Sequence, residues 1–419
     1  MKALCISASA SNQGKTVLTT ALLYHFKESV RPFKMGPDFI DPQFHKIVCQ
    51  TPSINLDRYM MSKDELKWLF NKYSDKKISI CEGVMGFYDG HDKKSSAYDI
   101  SRLLKIPTII LLDGSGSYIT VSAVLQGLKN YKKHNTIKAV ILNKISSQSH
   151  YELIKKVIEK DFKDIAVLGW IKSGLESLGE THLGLDLKDL GKIEKISQDV
   201  LEHIDMKRLE KISKVHKNIK FNYPFEKIPK QNKKLAIVHD INFSFLYHDN
   251  LAFLKEIFAE VVIIDSTKDE IIPSDADIVY ICGGYVETDS AYERVKNSHD
   301  FKASLIKHAQ EKPIYAECAG LLYLGVAVDD KPMSSILDVS FTKEKRFQRM
   351  GYYFNEDGIN GHAFHYTKPL DENSGFDRLS KSKALIGKYG SWEKEKVFGT
   401  YLHCMFRGNA KLIKKRLLP

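Results

Sequence analysis

Three stretches carry residue types that could do chemistry. The first is Ser7-Ala8-Ser9-Ala10-Ser11-Asn12-Gln13-Gly14-Lys15-Thr16, a small-residue loop between an apolar run and a helical pattern. Backbone N–H groups of such a loop can point at phosphate oxygens, with Lys15 as a mobile cation and the Thr16 hydroxyl as a Mg²⁺ ligand. Ser9 stands where the GxxxxGK[ST] spacing has its first glycine, so the loop alone reads as a nucleotide cradle or as an incidental turn around Gly14. The second is Arg31-Pro32-Phe33-Lys34-Met35-Gly36-Pro37-Asp38-Phe39-Ile40-Asp41-Pro42, with two carboxylates and a lysine among prolines and a glycine. That composition predicts a shaped loop rather than a helix. Glu82 belongs with it. It follows an apolar run and opens Gly83-Val84-Met85-Gly86-Phe87-Tyr88-Asp89-Gly90, as an acid would at the ligand-binding end of a parallel strand. Thr16, Asp38 and Glu82 together offer the hard oxygens Mg²⁺ prefers.

The third stretch is Lys312-Pro313-Ile314-Tyr315-Ala316-Glu317-Cys318-Ala319-Gly320-Leu321-Leu322, which reads as strand, sharp turn and helix. Small neighbours let the turn tighten around Cys318, and a helix N-terminus behind it favours thiolate. Alone, it reads equally as a structural cysteine at a strand end. Upstream, Gly283-Gly284-Tyr285 suits an oxyanion hole built from the backbone N–H groups of Gly284 and Tyr285. A cysteine nucleophile needs an imidazole to take and return its proton. His403, ending the run Gly399-Thr400-Tyr401-Leu402, is the choice, while His362 and His365 read as supporting residues.

These pieces require two α/β frameworks. Lys2–Ser7, Ile78–Cys81, Thr108–Asp113, Ala139–Asn143 and Ala166–Trp170 read as strands. Val17–Phe26, Lys63–Tyr73, Ile119–Leu128 and Tyr151–Lys160 between them read as helices. Apolar runs without alternation imply strands buried on both faces, hence a mostly parallel sheet. From about Glu194 to Lys234 the chain turns Lys-rich, which predicts a helix and then a linker ending near Asn232. A second series follows, with strands at Leu235–His239, Val261–Asp265, Ile278–Ile281 and Pro313–Ala316. The expected division is residues 1–232 and 233–419.

At 419 residues the chain exceeds what one core usually serves. Its 43% hydrophobic and 27% charged residues exclude wholesale disorder. No apolar run is long enough to cross a bilayer, and Met1–Ser7 lacks the features of a signal peptide, so the expected location is cytoplasmic. Six cysteines form no CxxC pair and no zinc spacing. The net charge of +11 comes from scattered lysines. It suits an anionic small substrate as well as a solvated surface, and no groove-reading motif accompanies it.

With these motifs in order, the chain resembles the cobyrinic acid a,c-diamide synthases, glutamine-dependent amidoligases of corrin-ring biosynthesis. The resemblance spans nearly the whole sequence. Its specific carriers are Pro37-Asp38-Phe39-Ile40-Asp41-Pro42 and Glu82-Gly83-Val84-Met85-Gly86-Phe87-Tyr88-Asp89-Gly90. It implies a dethiobiotin-synthetase-like P-loop ATPase domain followed by a class I glutamine amidotransferase-like domain. Glutamine would be hydrolysed at Cys318 through a thioester. The released ammonia would attack a substrate carboxylate phosphorylated by ATP. By the same resemblance Gly14, Lys15 and Thr16 hold ATP and Mg²⁺, Asp38 and Glu82 are metal ligands, and Asp41 and Asp89 organise carboxylate activation. Lys34 counters phosphoryl charge and Asn143 contacts adenine. The substrate implied is a corrinoid; hydrogenobyrinic acid or nickel-sirohydrochlorin would use the same motifs. No nucleic-acid or membrane partner is implied, and a homodimer is left open. Class I glutaminases commonly carry an acid two residues after the histidine, where this chain has Met405. No acid is thereby assigned to orient His403. The rival from another class is a P-loop switch protein binding DNA through its lysines, a reading that leaves Cys318 and His403 without a use.

Overall fold

The computed structural model describes residues 1–175, 180–181, 184–185, 190–215, 219–384 and 386–418. Part of the expected linker, residues 216–218, lies outside them. The chain divides into two compact units, Met1–Pro224 and Phe225–Pro419, so the division falls within the Lys-rich stretch.

In the first unit seven strands form one sheet: β1 (Ala3–Ala8), β2 (Val30–Met35), β3 (Ile54–Leu56), β4 (Ile78–Gly83), β5 (Thr108–Asp113), β6 (Ile137–Ile145) and β7 (Ala166–Lys172). Their order is β3-β2-β4-β1-β5-β6-β7, with every pairing parallel. All six residues of β1 and of β4 are buried, as unbroken apolar runs require. From β1 the chain builds one way to β2 and the other way to β5, which makes β1 and its neighbours the switch point where such sheets bind ligands. Helices α1 (Lys15–Phe26) and α2 (Ile40–Cys49) follow β1 and β2. Leu4, Ile6, Leu18, Leu22, Ile80 and Leu111 are fully buried between helices and sheet.

Val30–Met35 is a strand, where the sequence predicted a shaped loop from Arg31 onward. Pro32 is tolerated because β3 pairs only with Phe33, Lys34 and Met35, so beside Pro32 that neighbour has not begun. The loop proper starts at Gly36, whose φ of 127° lies in the region glycine alone enters freely.

The second unit carries β8 (Gln231–Val238), β9 (Phe258–Ile264), β10 (Ile278–Ile281) and β11 (Ile314–Glu317). A hairpin of β12 (Arg349–Phe354) and β13 (Asn360–His365) stands apart. The remaining strands of the main sheet are β14 (Asp377–Leu379), β15 (Lys388–Lys394) and β16 (Val397–Thr400). The sheet order is β9-β8-β10-β11-β16-β15-β14. The first five strands are parallel and the last two add an antiparallel edge to the parallel sheet that the sequence predicts. Its core gathers Tyr280, Tyr315, Phe341, Tyr401 and Phe406, all at most 1% exposed. No helix among the described residues is long and apolar enough to cross a membrane.

Candidate functional site

In the first unit the loops after β1, β2 and β4 converge, because these strands are neighbours and run in the same direction. Gly14 caps α1 at φ 88°, and a Cβ there would lie 2.6 Å from Asn143 Nδ2. That nitrogen donates to the Gln13 carbonyl at 2.9 Å, so Asn143, on β6, fastens the phosphate loop. The Phe87 N–H donates to the Ala8 carbonyl (2.8 Å), tying the loop after β4 to the same place. Gly86 is needed there: a Cβ would meet the Ser9 carbonyl oxygen at 2.6 Å.

Within this frame the Thr16 hydroxyl donates to Glu82 Oε1 at 2.9 Å. Lys34 Nζ, 4% exposed, sits among three carboxylates: Asp41, Glu82 Oε1 at 3.2 Å and Asp38 Oδ2 at 3.7 Å. Burial works against the Lys34 charge, but Glu82, Asp41 and Asp38 outweigh it and raise its pKa. Burial also pushes the Asp38 carboxyl up, with repulsion from Asp41 adding to it. For Asp41 and Glu82 burial is again opposed, and Lys34 wins, holding both below the ordinary carboxylate range. Burial lowers the pKa of Lys15, whose field includes Glu82, Asp41 and Asp89. Its ammonium donates to the Ala10 carbonyl at 2.8 Å. Asp89 Oδ2 accepts from the Gly86 N–H at 2.8 Å.

The backbone explains how the acids are aimed. Asp38 Oδ1 accepts the N–H groups of Ile40 (2.8 Å) and Asp41 (3.1 Å), opening α2. Pro42 follows within the first turn, where no backbone donor is lost. Asn55 Nδ2 donates to the carbonyls of Gly36 (3.0 Å) and Asp38 (2.6 Å). One member was missed. His45, fully buried, places Nε2 2.8 Å from Glu82 Oε2 and Nδ1 3.1 Å from Ser53 Oγ. The available signal was its spacing of four from Asp41, which puts both on one face of α2.

In the second unit Cys318 turns between β11 and a short helix, Ala319–Leu324, at φ 46° and ψ −103°. It is 4% exposed. A non-glycine residue in that strained region is held by its surroundings: its N–H donates to Thr400 O at 2.7 Å, and its carbonyl accepts from Leu322. The N–H groups of Ala319 and Gly284 face the sulfur. The Tyr285 N–H, expected as an oxyanion donor, instead donates to the Asn242 carbonyl at 2.8 Å. Burial raises the Cys318 thiol far above its ordinary value, and the nearby Glu287 adds to the rise; the two amides only partly offset it. Burial therefore opposes the thiolate that the helix N-terminus is expected to favour.

His403 is buried at the end of the segment after β16, and exchanges backbone hydrogen bonds with His362 (2.8 and 2.9 Å). Its Nδ1 lies 3.1 Å from Glu317 Oε2. Glu317 immediately precedes Cys318, and also accepts the Tyr280 hydroxyl at 3.2 Å and the Tyr315 hydroxyl at 3.1 Å. A Cβ on Gly283 would come within 2.2 Å of His403 Cε1, while the next amide, Gly284, faces Cys318. Sulfur and imidazole thus share one site. The acid beside His403, where Met405 leaves the expected position empty of one, is Glu317. Its place before the nucleophile, rather than after the histidine, hid it from a search for sequence spacing. His365 stacks on Tyr401 (ring centroids 3.6 Å apart) and serves packing.

Comparison with known proteins agrees with both halves. Residues 4–178 match the family model described as the CobQ/CobB/MinD/ParA nucleotide binding domain, and residues 234–411 the CobB/CobQ-like glutamine amidotransferase domain. Over 449 aligned residues the chain is 32% identical to a cobyrinate a,c-diamide synthase of Listeria monocytogenes, covering 99% of this chain and 98% of the relative. The corresponding synthase of Fusobacterium nucleatum is 34% identical, with 99% and 100% covered. That of Caldanaerobacter subterraneus is 34% identical, with 93% and 90% covered.

Proposed function

Because the chain belongs to the cobyrinate a,c-diamide synthase family and is a glutamine-dependent amide-forming ligase of cobalamin synthesis, we propose that it amidates the a and c acetate carboxylates of cobyrinic acid through acyl phosphates. The observation that carries this reading is that one chain holds both a phosphate loop meeting the Lys34 carboxylate cluster and a cysteine elbow whose histidine is held by Glu317.

In the second unit His403 takes the Cys318 proton as sulfur attacks the γ-carboxamide carbon of glutamine. Glu317 fixes the Nδ1–H tautomer, leaving Nε2 to accept. The developing oxyanion is received by the amides of Gly284 and Ala319. The proton returns to the departing nitrogen, ammonia leaves, and water hydrolyses the thioester.

In the first unit Gly14, Lys15 and Thr16 cradle ATP, and Asn143 supports the cradle from beneath. An oxygen of the substrate carboxylate attacks the γ-phosphorus and ADP departs. Lys15 and Lys34 offset the charge on the phosphoryl oxygens. Phosphate is the leaving group when ammonia attacks the acyl carbon, and Asp41 and Asp89 orient the reactants. The residues fit Mg²⁺: Thr16 Oγ1, Glu82 and Asp38 are hard oxygens, and four acids (Asp38, Asp41, Glu82, Asp89) face two lysines. Among the described residues no group of three or more His, Cys, Asp or Glu side chains is arranged to hold a metal ion, so a Mg²⁺ there would need nucleotide phosphates to complete its coordination. Bound there, Mg²⁺ would neutralise phosphate charge.

The test is amidation of cobyrinic acid by purified protein with ATP, Mg²⁺ and glutamine, read by mass spectrometry. Hydrogenobyrinic acid and nickel-sirohydrochlorin run in parallel. Diamide from cobyrinic acid is expected. Amide formed only on another macrocycle would overturn the substrate, and none on any would overturn the reaction.

A further inference from the structure

One cavity of the first unit lies outside the machinery described so far. It has a volume of about 900 Å³, at the upper end of the roughly 300–1,000 Å³ typical of small-molecule pockets. Its walls come from the segment after β3, from helices α3 (Lys63–Tyr73) and α4 (Ala97–Leu104), and from the loop after β4.

Its charge is one-sided. Arg58, Lys63, Lys67, Lys94, Arg102 and Lys105 line it, with Lys220 at one side. Among the described residues Asp99 is the sole acid in that lining, and it is already engaged: it accepts from Ser96 Oγ at 2.6 Å and lies 2.9 Å from His91 Nδ1. The chain as a whole has 63 basic residues to 52 acidic, so a wall drawn at random would be near balance. Lys63, Lys94, Arg102 and Lys105 have no carboxylate within ion-pairing distance among the described residues. Like charges gathered around a concavity repel one another and focus a positive potential into it. A ligand carrying several separated negative groups relieves that repulsion; a single phosphate would meet only part of the wall.

One end of it is linked through the chain to the phosphoryl-transfer site. Arg58 is three residues past Asn55, which holds the Asp38 loop, and His91 is two residues past Asp89. A second basic depression of similar volume shares Arg102 and Lys105. Its other walls include Pro107, Thr136 and Ala166, at the amino ends of β5, β6 and β7, the opposite end of the strands from the phosphate loop.

We propose that the cavity between α3 and α4 binds the macrocyclic substrate through those peripheral carboxylates that are not being amidated. This rests on the corrinoid reading above. Recognition by the carboxylates left over would hold the ring while one acetate arm reaches Lys34 and Asp41.

The test uses the full chain and uroporphyrin I, a cyclic tetrapyrrole with eight carboxylates, titrated by fluorescence without ATP. The variants are Lys63→Glu with Lys94→Glu, both exposed. The control is Lys138→Glu with Lys211→Glu in the second depression. At about 0.1 M salt the first pair is expected to weaken uroporphyrin binding at least tenfold, with the control near wild type. In ammonia-dependent amidation the same pair should raise KM for the macrocycle at least tenfold while KM for ATP and the glutaminase rate stay put. Wild-type uroporphyrin affinity in the first pair would overturn the proposal. So would retention of duplex DNA without tetrapyrrole binding, lost in the same variants, which would make the cavity a nucleic-acid site. Loss of uroporphyrin binding in a protein that never amidates cobyrinic acid would sustain the cavity and sink the substrate assignment alone.

Discussion

Replacing Glu317 by glutamine tests the glutaminase half at one atom. The carboxylate accepts three hydrogen bonds in a buried place: from His403 Nδ1, from the Tyr280 hydroxyl and from the Tyr315 hydroxyl. Glutamine brings one acceptor oxygen and one NH₂ donor. If NH₂ faces His403, it imposes the Nε2–H tautomer, and the imidazole can no longer take the Cys318 proton. Such a mis-set tautomer costs up to about 10⁴ in kcat in the serine-protease triad. If the oxygen faces His403, Tyr315 must turn to accept, the tautomer survives and only the charge is lost. A hydrogen bond to a charged group contributes about 1.5–3 kcal/mol, which converts to roughly 10- to 150-fold in rate. Glutamine-dependent kcat is therefore expected to fall between about 10- and 10⁴-fold, with KM for glutamine little changed. Glutamate release measures this. Amidation with ammonia salts and the thermal unfolding midpoint, run beside it, should stay at wild-type values and report that the fold is intact. A glutaminase kcat within threefold of wild type would refute the orienting role of Glu317.

Gly283→Ala places a methyl group where His403 Cε1 stands 2.2 Å away, so glutamine turnover should fall at least about 10²-fold in a glutamate-release assay, with ammonia-dependent amidation preserved. Cys318→Ala should abolish turnover with glutamine and leave turnover with ammonia; surviving glutamine use would remove Cys318 as nucleophile. Since burial raises the Cys318 thiol, its alkylation by iodoacetamide should climb through pH 7 to 10 without levelling off, and a plateau near neutrality would contradict that upward shift. Lys34→Met leaves Asp38, Asp41 and Glu82 without their shared cation. Breaking such a buried arrangement costs about 3–5 kcal/mol, visible as earlier urea unfolding of the first unit, together with loss of amidation from either nitrogen source.

What the sequence disclosed and what it hid follow from the range of each interaction. The settings of Gly14-Lys15-Thr16, Glu82 and Cys318 were legible because they depend on local order: strand, tight turn, helix. The parallel strands were legible for the same reason, since Ala3–Ala8 and Thr108–Asp113 are apolar on both faces. Val30–Met35 was not. Arg31, Pro32 and Lys34 break its apolar run, and its identity as a strand depends on where β3 begins, a fact 20 or so residues downstream. His45 and Glu317 were hidden differently. Each contacts its partner across the fold, His45 to Glu82 and Glu317 to His403, and neither lies in a spacing that names the partner. Glu317 also shows why a missing sequence feature need not mean a missing function. The acid usually sought beyond the histidine gives way to Met405, while an acid one residue before the sulfur reaches the imidazole across β11 and β16, which are paired neighbours. Parallel pairing brings Glu317 opposite Thr400, three residues before His403, so the strand register itself carries the carboxylate to the histidine. A substitution that shifted this register would part Glu317 from His403 while leaving both residues in the chain.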